Sequence, residues 1–158
     1  MAKELQGLLP ASCSLIVNDR ADVAALAGDA GAHLGQDDLP PAAARELLGP
    51  GALIGLSTHN QEQMRAAAAE PVDYLAFGPI FATPSKDKPD PVVGCEGLRE
   101  VRSLTEKPLV AIGGITAENA ASVIEAGADS VAVIRGWMAA DDISRRLEEF
   151  RRALGRLD

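Results

Sequence analysis

Leu109-Val110-Ala111-Ile112-Gly113-Gly114-Ile115-Thr116 decides the fold. Four apolar residues without polar alternation read as a short strand buried on both faces. Two glycines then break the run, and Thr116 can N-cap a helix predicted over Ala117–Ala126. Gly127 stands just past that helix, where a positive φ is needed. A second apolar run, Ser130–Ile134, follows. Strand, helix and strand in so short a span define a βαβ unit, which pairs its strands in parallel.

The unit recurs toward the N-terminus. Apolar runs at Ser14–Val17, Ala32–Gly35, Leu53–Leu56 and Tyr74–Phe77 alternate with helical patterns at Ala21–Gly28, Pro40–Leu48, Gln61–Ala69 and Gly97–Leu104. Pro40 suits the first turn of its helix. Ala30-Gly31-Ala32-His33 and Ala126-Gly127-Ala128-Asp129 mark matching helix-to-strand turns. A helix over Asp141–Leu154 closes the pattern, and Lys3–Leu9 reads as a helix with no strand before it. The expected fold is α/β: a parallel (βα)-repeat of TIM-barrel type, N-terminally truncated to about six strands, as one domain over residues 1–158. A whole (βα)₈ barrel needs two more units and typically about 250 residues. A complete doubly wound sheet of six strands is the alternative.

Composition narrows the function classes. Hydrophobic residues are 47% of the 158 and aromatics only 3%, so Ala, Val, Leu and Ile must build the core. Few aromatics and a net charge of −8 argue against a nucleic-acid partner. Arg145, Arg146, Arg151, Arg152 and Arg156 interleave with Glu148 and Glu149, a solvated helix face. Cys13 and Cys95 lack metal-type spacing and are expected as buried or half-buried thiols in a reducing cytoplasm. Met1–Pro10 has no apolar signal-type stretch, and no run is long enough to span a membrane.

In either architecture, ligands bind at the carboxyl ends of the strands. Asn18-Asp19, Gly35–Asp38, Ser57–Asn60, Gly78–Lys86, Gly113-Gly114 and Arg135-Gly136 stand there. Asp19 and Asp38, at adjacent strand ends, suit Mg²⁺, a hard cation that takes few carboxylates and leaves positions for water and phosphate. Each alone reads equally as a helix cap, and Asp37 reads as solvated. Asn18 either orients a phosphate or turns the chain. Ser57 is a phosphate donor or a cap. His59 can transfer protons near neutrality or sit at the surface. His33, inside a strand pattern, reads as a core residue. Thr83, Ser85 and Lys86 put two hydroxyls and a cation into four residues, the density of a phosphate cradle in a Pro-rich loop. Gly113 and Gly114 permit close backbone approach by an anion at a helix start.

Val17-Asn18-Asp19-Arg20, His33–Pro40, Gly55–His59, Gly78–Lys86 and Ala111–Thr116, in this order and spacing, resemble the thiamine phosphate synthase family and its relative, the thiazole tautomerase. The resemblance runs from about Leu15 to Ile134. It implies a (βα)₈ barrel that joins a hydroxymethylpyrimidine diphosphate to a thiazole phosphate, giving thiamine phosphate and pyrophosphate with Mg²⁺. It implies Asp19 and Asp38 on the metal. Asn18, Asp19, Ser57 and Lys86 would lie at the diphosphate. Thr83, Pro84, Ser85 and Gly114 would hold the thiazole phosphate, with backbone around Ile134 and Arg135. Lys86, Ser57 and His59 are the candidate catalytic residues, and His59 is the feature that favours the tautomerase. The family's opening strands, with their Gln-x-Arg-x-Lys pattern, have no counterpart in Met1–Ser14, and Arg135 stands where the family usually has Ser. A homo-oligomer or a complementing chain is therefore expected to complete the barrel. A split enzyme or a non-catalytic phosphate-binding remnant are the remaining readings.

Overall fold

The computed structural model describes residues 1–28, 30–83 and 90–155. Six parallel strands, β1 (Ile16–Asn18), β2 (Gly31–Leu34), β3 (Ile54–Thr58), β4 (Tyr74–Phe77), β5 (Leu109–Ile112) and β6 (Ser130–Ala132), pair in sequence order. Helices alternate with them: α1 (Ala2–Leu8), α2 (Ala21–Ala27), α3 (Pro41–Leu48), α4 (Gln61–Ala68), α5 (Gly94–Arg102) and α6 (Ala120–Glu125). A short α7 (Arg135–Met138) and the longer α8 (Ile143–Ala153) follow β6. Sequence-ordered parallel strands with a helix in each connection form a curled half-barrel. The strand order excludes the doubly wound alternative, which requires a reversal of order at a switch point.

The core lies between the sheet and its helices. Ala32, Leu34, Ile54, Leu56, Leu75, Phe77, Leu109 and Ala111 alternate along β2 to β5 and are all buried. They meet Ala24 of α2, Ala44 of α3, Met64 and Ala67 of α4, Leu98 and Val101 of α5, and Val123 of α6. Each large apolar side chain among them contributes about 1.5–3 kcal/mol by leaving water. Ala on the helices lets them lie close to the strands. The opposite face is less buried than continuous apolar runs suggest: β5 alternates buried and half-buried residues. Its inner side chains front a cavity instead of a second layer. At the two sheet edges, β1 and β6 have no fully buried residue.

Several local expectations change. Strand β3 runs through Ser57 and Thr58, so Ser57 is a strand residue. Helix α6 begins at Ala120, not Ala117, because Asn119 ties the preceding turn by accepting from the Thr116 N–H and donating to the Gly114 carbonyl. Thr116 is not its N-cap. Pro40 caps α3 from outside and Pro41 takes the first turn. Gly127 has φ of 108°, as its position after α6 requires. Cys13 is exposed, whereas Cys95 is half-buried. On α8, Phe150 turns inward against Trp137, with ring centroids 4.8 Å apart. Arg145 and Arg146 of that helix pair with Glu149, and Arg152 with Glu148.

Candidate functional site

Alternate residues of the strands point to the inner face, so sheet register decides what the cavity sees. Asn18, His33, Gly55 and Tyr74 stand side by side across β1 to β4. Gly55 is required there. A Cβ at this position would lie 2.1 Å from Tyr74 Cζ, because the tyrosine ring crosses over β3 toward β2. Its hydroxyl reaches His33 Nδ1 at 3.0 Å, and the rings stack at 5.5 Å. The other imidazole nitrogen, Nε2, lies 2.8 Å from Ser57 Oγ. A polar chain, Tyr74–His33–Ser57, thus spans three strands.

Burial shapes its electrostatics. Desolvation pushes the His33 imidazole below its usual range, partly opposed by the Asp38 charge. Burial also pushes the Tyr74 phenol up to about 12. Both groups are neutral near pH 7.

The cavity at the carboxyl ends of the strands measures about 770 Å³. Its β1–β4 half carries Asn18, His33, Ser57 and Tyr74; its β5–β6 half is apolar, with Val110, Ile112, Ala132 and Ile134. Thr83, Gly114 and Arg135 also line it. The loop after β4 is fixed to the loop after β5: Ile80 N–H donates to the Ile112 carbonyl and Phe81 N–H to the Gly113 carbonyl. Gly113 and Gly114 have φ of 88° and 65°. A Cβ on Gly114 would meet the Ala82 carbonyl at 2.7 Å, so packing of these two loops already demands glycine.

His59 lines the same cavity. Its Nδ1 donates to the Gly78 carbonyl at 2.6 Å and its Nε2 lies 3.6 Å from Asp90 Oδ2. Neither Ser57 nor His59 caps α4. That role falls to Asn60, which accepts from the Gln63 N–H, while the Gln63 side chain accepts from the His59 N–H.

Asn18, Ser57, His59, Thr83, Gly114, Ile134 and Arg135 therefore gather at one cavity, as their places at strand ends predict. Asp19 follows β1 with φ of 64°, its N–H donating to the His33 carbonyl. Asp38 folds back on the end of β2, where Oδ2 accepts from the Gly35 N–H at 2.6 Å. Among the described residues no group of three or more His, Cys, Asp or Glu side chains could hold a metal. Neither Asp19 nor Asp38 is among the residues lining the cavity, and Asp38 stands at a smaller pocket with Gly35, Gln36, Leu39 and Pro40. As carboxylates at adjacent strand ends they match only the donor type of a hard cation completed by water and substrate oxygens. Pro84, Ser85 and Lys86 lie outside the described residues. Sequence reasoning missed His33 as a cavity residue, and missed Tyr74 altogether. Gly55, an interior strand glycine, was the available signal, since such a glycine marks a close approach.

Six parallel strands in sequence order, with one face open on a cavity and polar groups at the strand ends, define a half-barrel of the βα-barrel type. The pattern of the thiamine monophosphate synthase family (TMP-TENI) matches residues 1–137. A thiamine-phosphate synthase of Koribacter versatilis is 58% identical over 94% of this chain and 70% of its own length. One from Azorhizobium caulinodans is 49% identical over 90% of this chain and 68% of its own. The solved thiamine phosphate pyrophosphorylase of Pyrococcus furiosus superposes with a TM-score of 0.86 at 38% identity, covering 98% of this chain and 74% of that one. The chain belongs to the thiamine monophosphate synthase family.

Proposed function

We propose that the chain acts in thiamine biosynthesis as a thiamine-phosphate synthase. The reaction is a transfer: the pyrimidine methylene–oxygen bond of hydroxymethylpyrimidine diphosphate breaks, pyrophosphate leaves with the bonding pair, and the thiazole nitrogen forms the new bond. The observation that carries this reading is that Asn18, Ser57, His59, Thr83, Gly114, Ile134 and Arg135 line one cavity in a chain that matches the family pattern.

Its two halves match the two demands of the reaction. Polar β1–β4 offers Asn18 and the Ser57 hydroxyl to the diphosphate, and Lys86 would add a cation on the leaving group. The apolar floor of Val110, Ile112 and Ala132 excludes water from the reactive carbon. Thr83, Pro84 and Ser85, with Gly114 and backbone at Ile134 and Arg135, would hold the thiazole phosphate. Asp19 and Asp38 would hold Mg²⁺, which when bound neutralises charge developing on the departing pyrophosphate. The half-exposed β1 and β6 edges favour association with a second copy or a complementing chain. The reading carries a cytoplasmic location, supported by two unpaired cysteines.

The tautomerase alternative rests on His59. That imidazole spends one nitrogen on the Gly78 carbonyl and turns the other toward Asp90. The curated relatives described above are named synthases.

The test is formation of thiamine phosphate by purified chain from the pyrimidine diphosphate and thiazole phosphate, with and without Mg²⁺. Metal-dependent product is expected. Asp19→Asn and Asp38→Asn should each lower kcat/KM by about a hundredfold, in the range for lost electrostatic stabilisation. A folded chain that binds pyrophosphate but forms no product overturns the reading in favour of a binding remnant or one half of a split enzyme.

A further inference from the structure

Ser57 can serve a phosphate only if its hydroxyl proton is free to point at it. Two hydrogen-bond polarities are open to the chain Tyr74–His33–Ser57. In one, Ser57 donates to His33 Nε2, so its proton is spent inside the protein. In the other, His33 Nε2–H donates to Ser57 Oγ, and the serine proton is left for the cavity.

The phenol decides between them. Tyr74 lies flat across Gly55, and among the described residues its hydroxyl has one hydrogen-bond partner, His33 Nδ1 at 3.0 Å. A phenolic O–H held against a single ring nitrogen satisfies its donor by donating there. A neutral imidazole that accepts at Nδ1 carries its proton at Nε2, 2.8 Å from Ser57 Oγ. Since Ser57 Oγ then accepts from His33, its own proton turns elsewhere, and the open side is the cavity.

We propose that Tyr74 and His33 are positioning residues that polarise Ser57, fixing its hydroxyl as a hydrogen-bond donor to an anionic phosphate oxygen in the cavity. The assignment of that anion as the substrate diphosphate rests on the synthase reading above. Gly55 belongs to the device, because any side chain there removes Tyr74 from reach of His33. His59 provides an internal contrast. A carbonyl faces its Nδ1, so that nitrogen must carry the proton. The chain's two histidines are thus expected in opposite tautomers.

Nitrogen-15 spectra of histidine-labelled chain read this directly. The two rings are assigned by proximity of His33 to Tyr74, the sole tyrosine. The expected result is the Nε2–H tautomer for His33 and Nδ1–H for His59. Tyr74→Phe, which keeps the ring over Gly55, should shift His33 toward a mixture, and Ser57→Ala should not. A wild-type His33 in the Nδ1–H form overturns the proposal without recourse to any variant. Kinetics add a second decision. Ser57→Ala and Tyr74→Phe should each lower kcat/KM for the pyrimidine diphosphate about tenfold, and the double variant no further, because Tyr74 acts through Ser57. Independent, multiplying losses also overturn it. Absence of turnover in the wild type counts against the synthase reading alone, while the tautomers still decide the relay.

Discussion

At the amino-terminal end of the sheet, two carboxylates repeat one arrangement. Asp73, just before β4, accepts from the Ile54 N–H that opens β3 and from Arg45 of α3. Asp129, just before β6, accepts from the Leu109 N–H that opens β5 and from Arg102 of α5. Each arginine also donates to carbonyls of the neighbouring turn: Arg45 to Gly49, Ala52 and Pro71, and Arg102 to Thr105 and Lys107. Toward the carboxyl end, by contrast, a chain that starts at Tyr74, the first residue of β4, runs through His33 to Ser57 and a cavity wall. One end directs its charges onto its own backbone; the other directs its polar groups outward. Substitutions at the first should therefore change stability, and at the second, chemistry, the division expected of the two faces of a βα-barrel.

Gly55→Ala is expected to break this division hardest, since it sits in the strand between the two ends. A Cβ 2.1 Å from Tyr74 Cζ forces the ring off β3. Overpacking of this kind costs about 1–3 kcal/mol. Turnover should fall about tenfold, the same loss as in Ser57→Ala, as Ser57 loses its orientation. Urea denaturation and steady-state kinetics on the same preparation measure both. Retention of wild-type kcat/KM would show that the Tyr74 ring is not needed where it lies.

Asp73→Ala tests the amino-terminal end alone. It strands the Ile54 N–H and one donor of Arg45, a loss of about 2 kcal/mol in unfolding free energy. Asp129→Ala should cost less, about 1 kcal/mol, because its side chain is 56% exposed against 39% for Asp73 and water replaces more of what is lost. In both variants kcat/KM of the folded protein should stay at the wild-type value. A kinetic defect without a stability loss would erase the distinction between the two ends.

The two ends also differed in how legible they were. Strand–helix alternation was plain because short apolar runs such as Leu109–Ile112 are punctuated by glycines at fixed places, and the strand-end residues followed from that pattern. Ser57, His59 and Gly114 were found this way. His33 was not, because the apolar residues around it hide the two-residue period of a strand with one open face. Tyr74 opens its strand, far from the strand-end loops where sequence reading looks for chemistry. Helix α7, which carries Arg135, has too few residues to show a helical period. The Asp73 and Asp129 clasps depend on contacts between units, and no single βα unit contains both an arginine and the amide its carboxylate holds.

The smallest expected effect sharpens the contrast at the carboxyl end without touching activity. Tyr74 is the sole tyrosine, so phenolate absorbance reports it alone. Burial raises its folded pKa to about 12, against about 10 for an exposed phenol. A raised folded pKa means that the native chain keeps its proton where the unfolded chain has lost it. The associated stability is intact below pH 10 and is lost as pH rises from there through about 12. Titration of the folded protein should give a midpoint near the upper value, while circular dichroism confirms that the fold persists. In Gly55→Ala, with the ring displaced into solvent, the midpoint should fall toward that of an ordinary phenol. A wild-type midpoint already near 10 would place the ring in water and remove the partner on which the orientation of His33, and through it Ser57, depends.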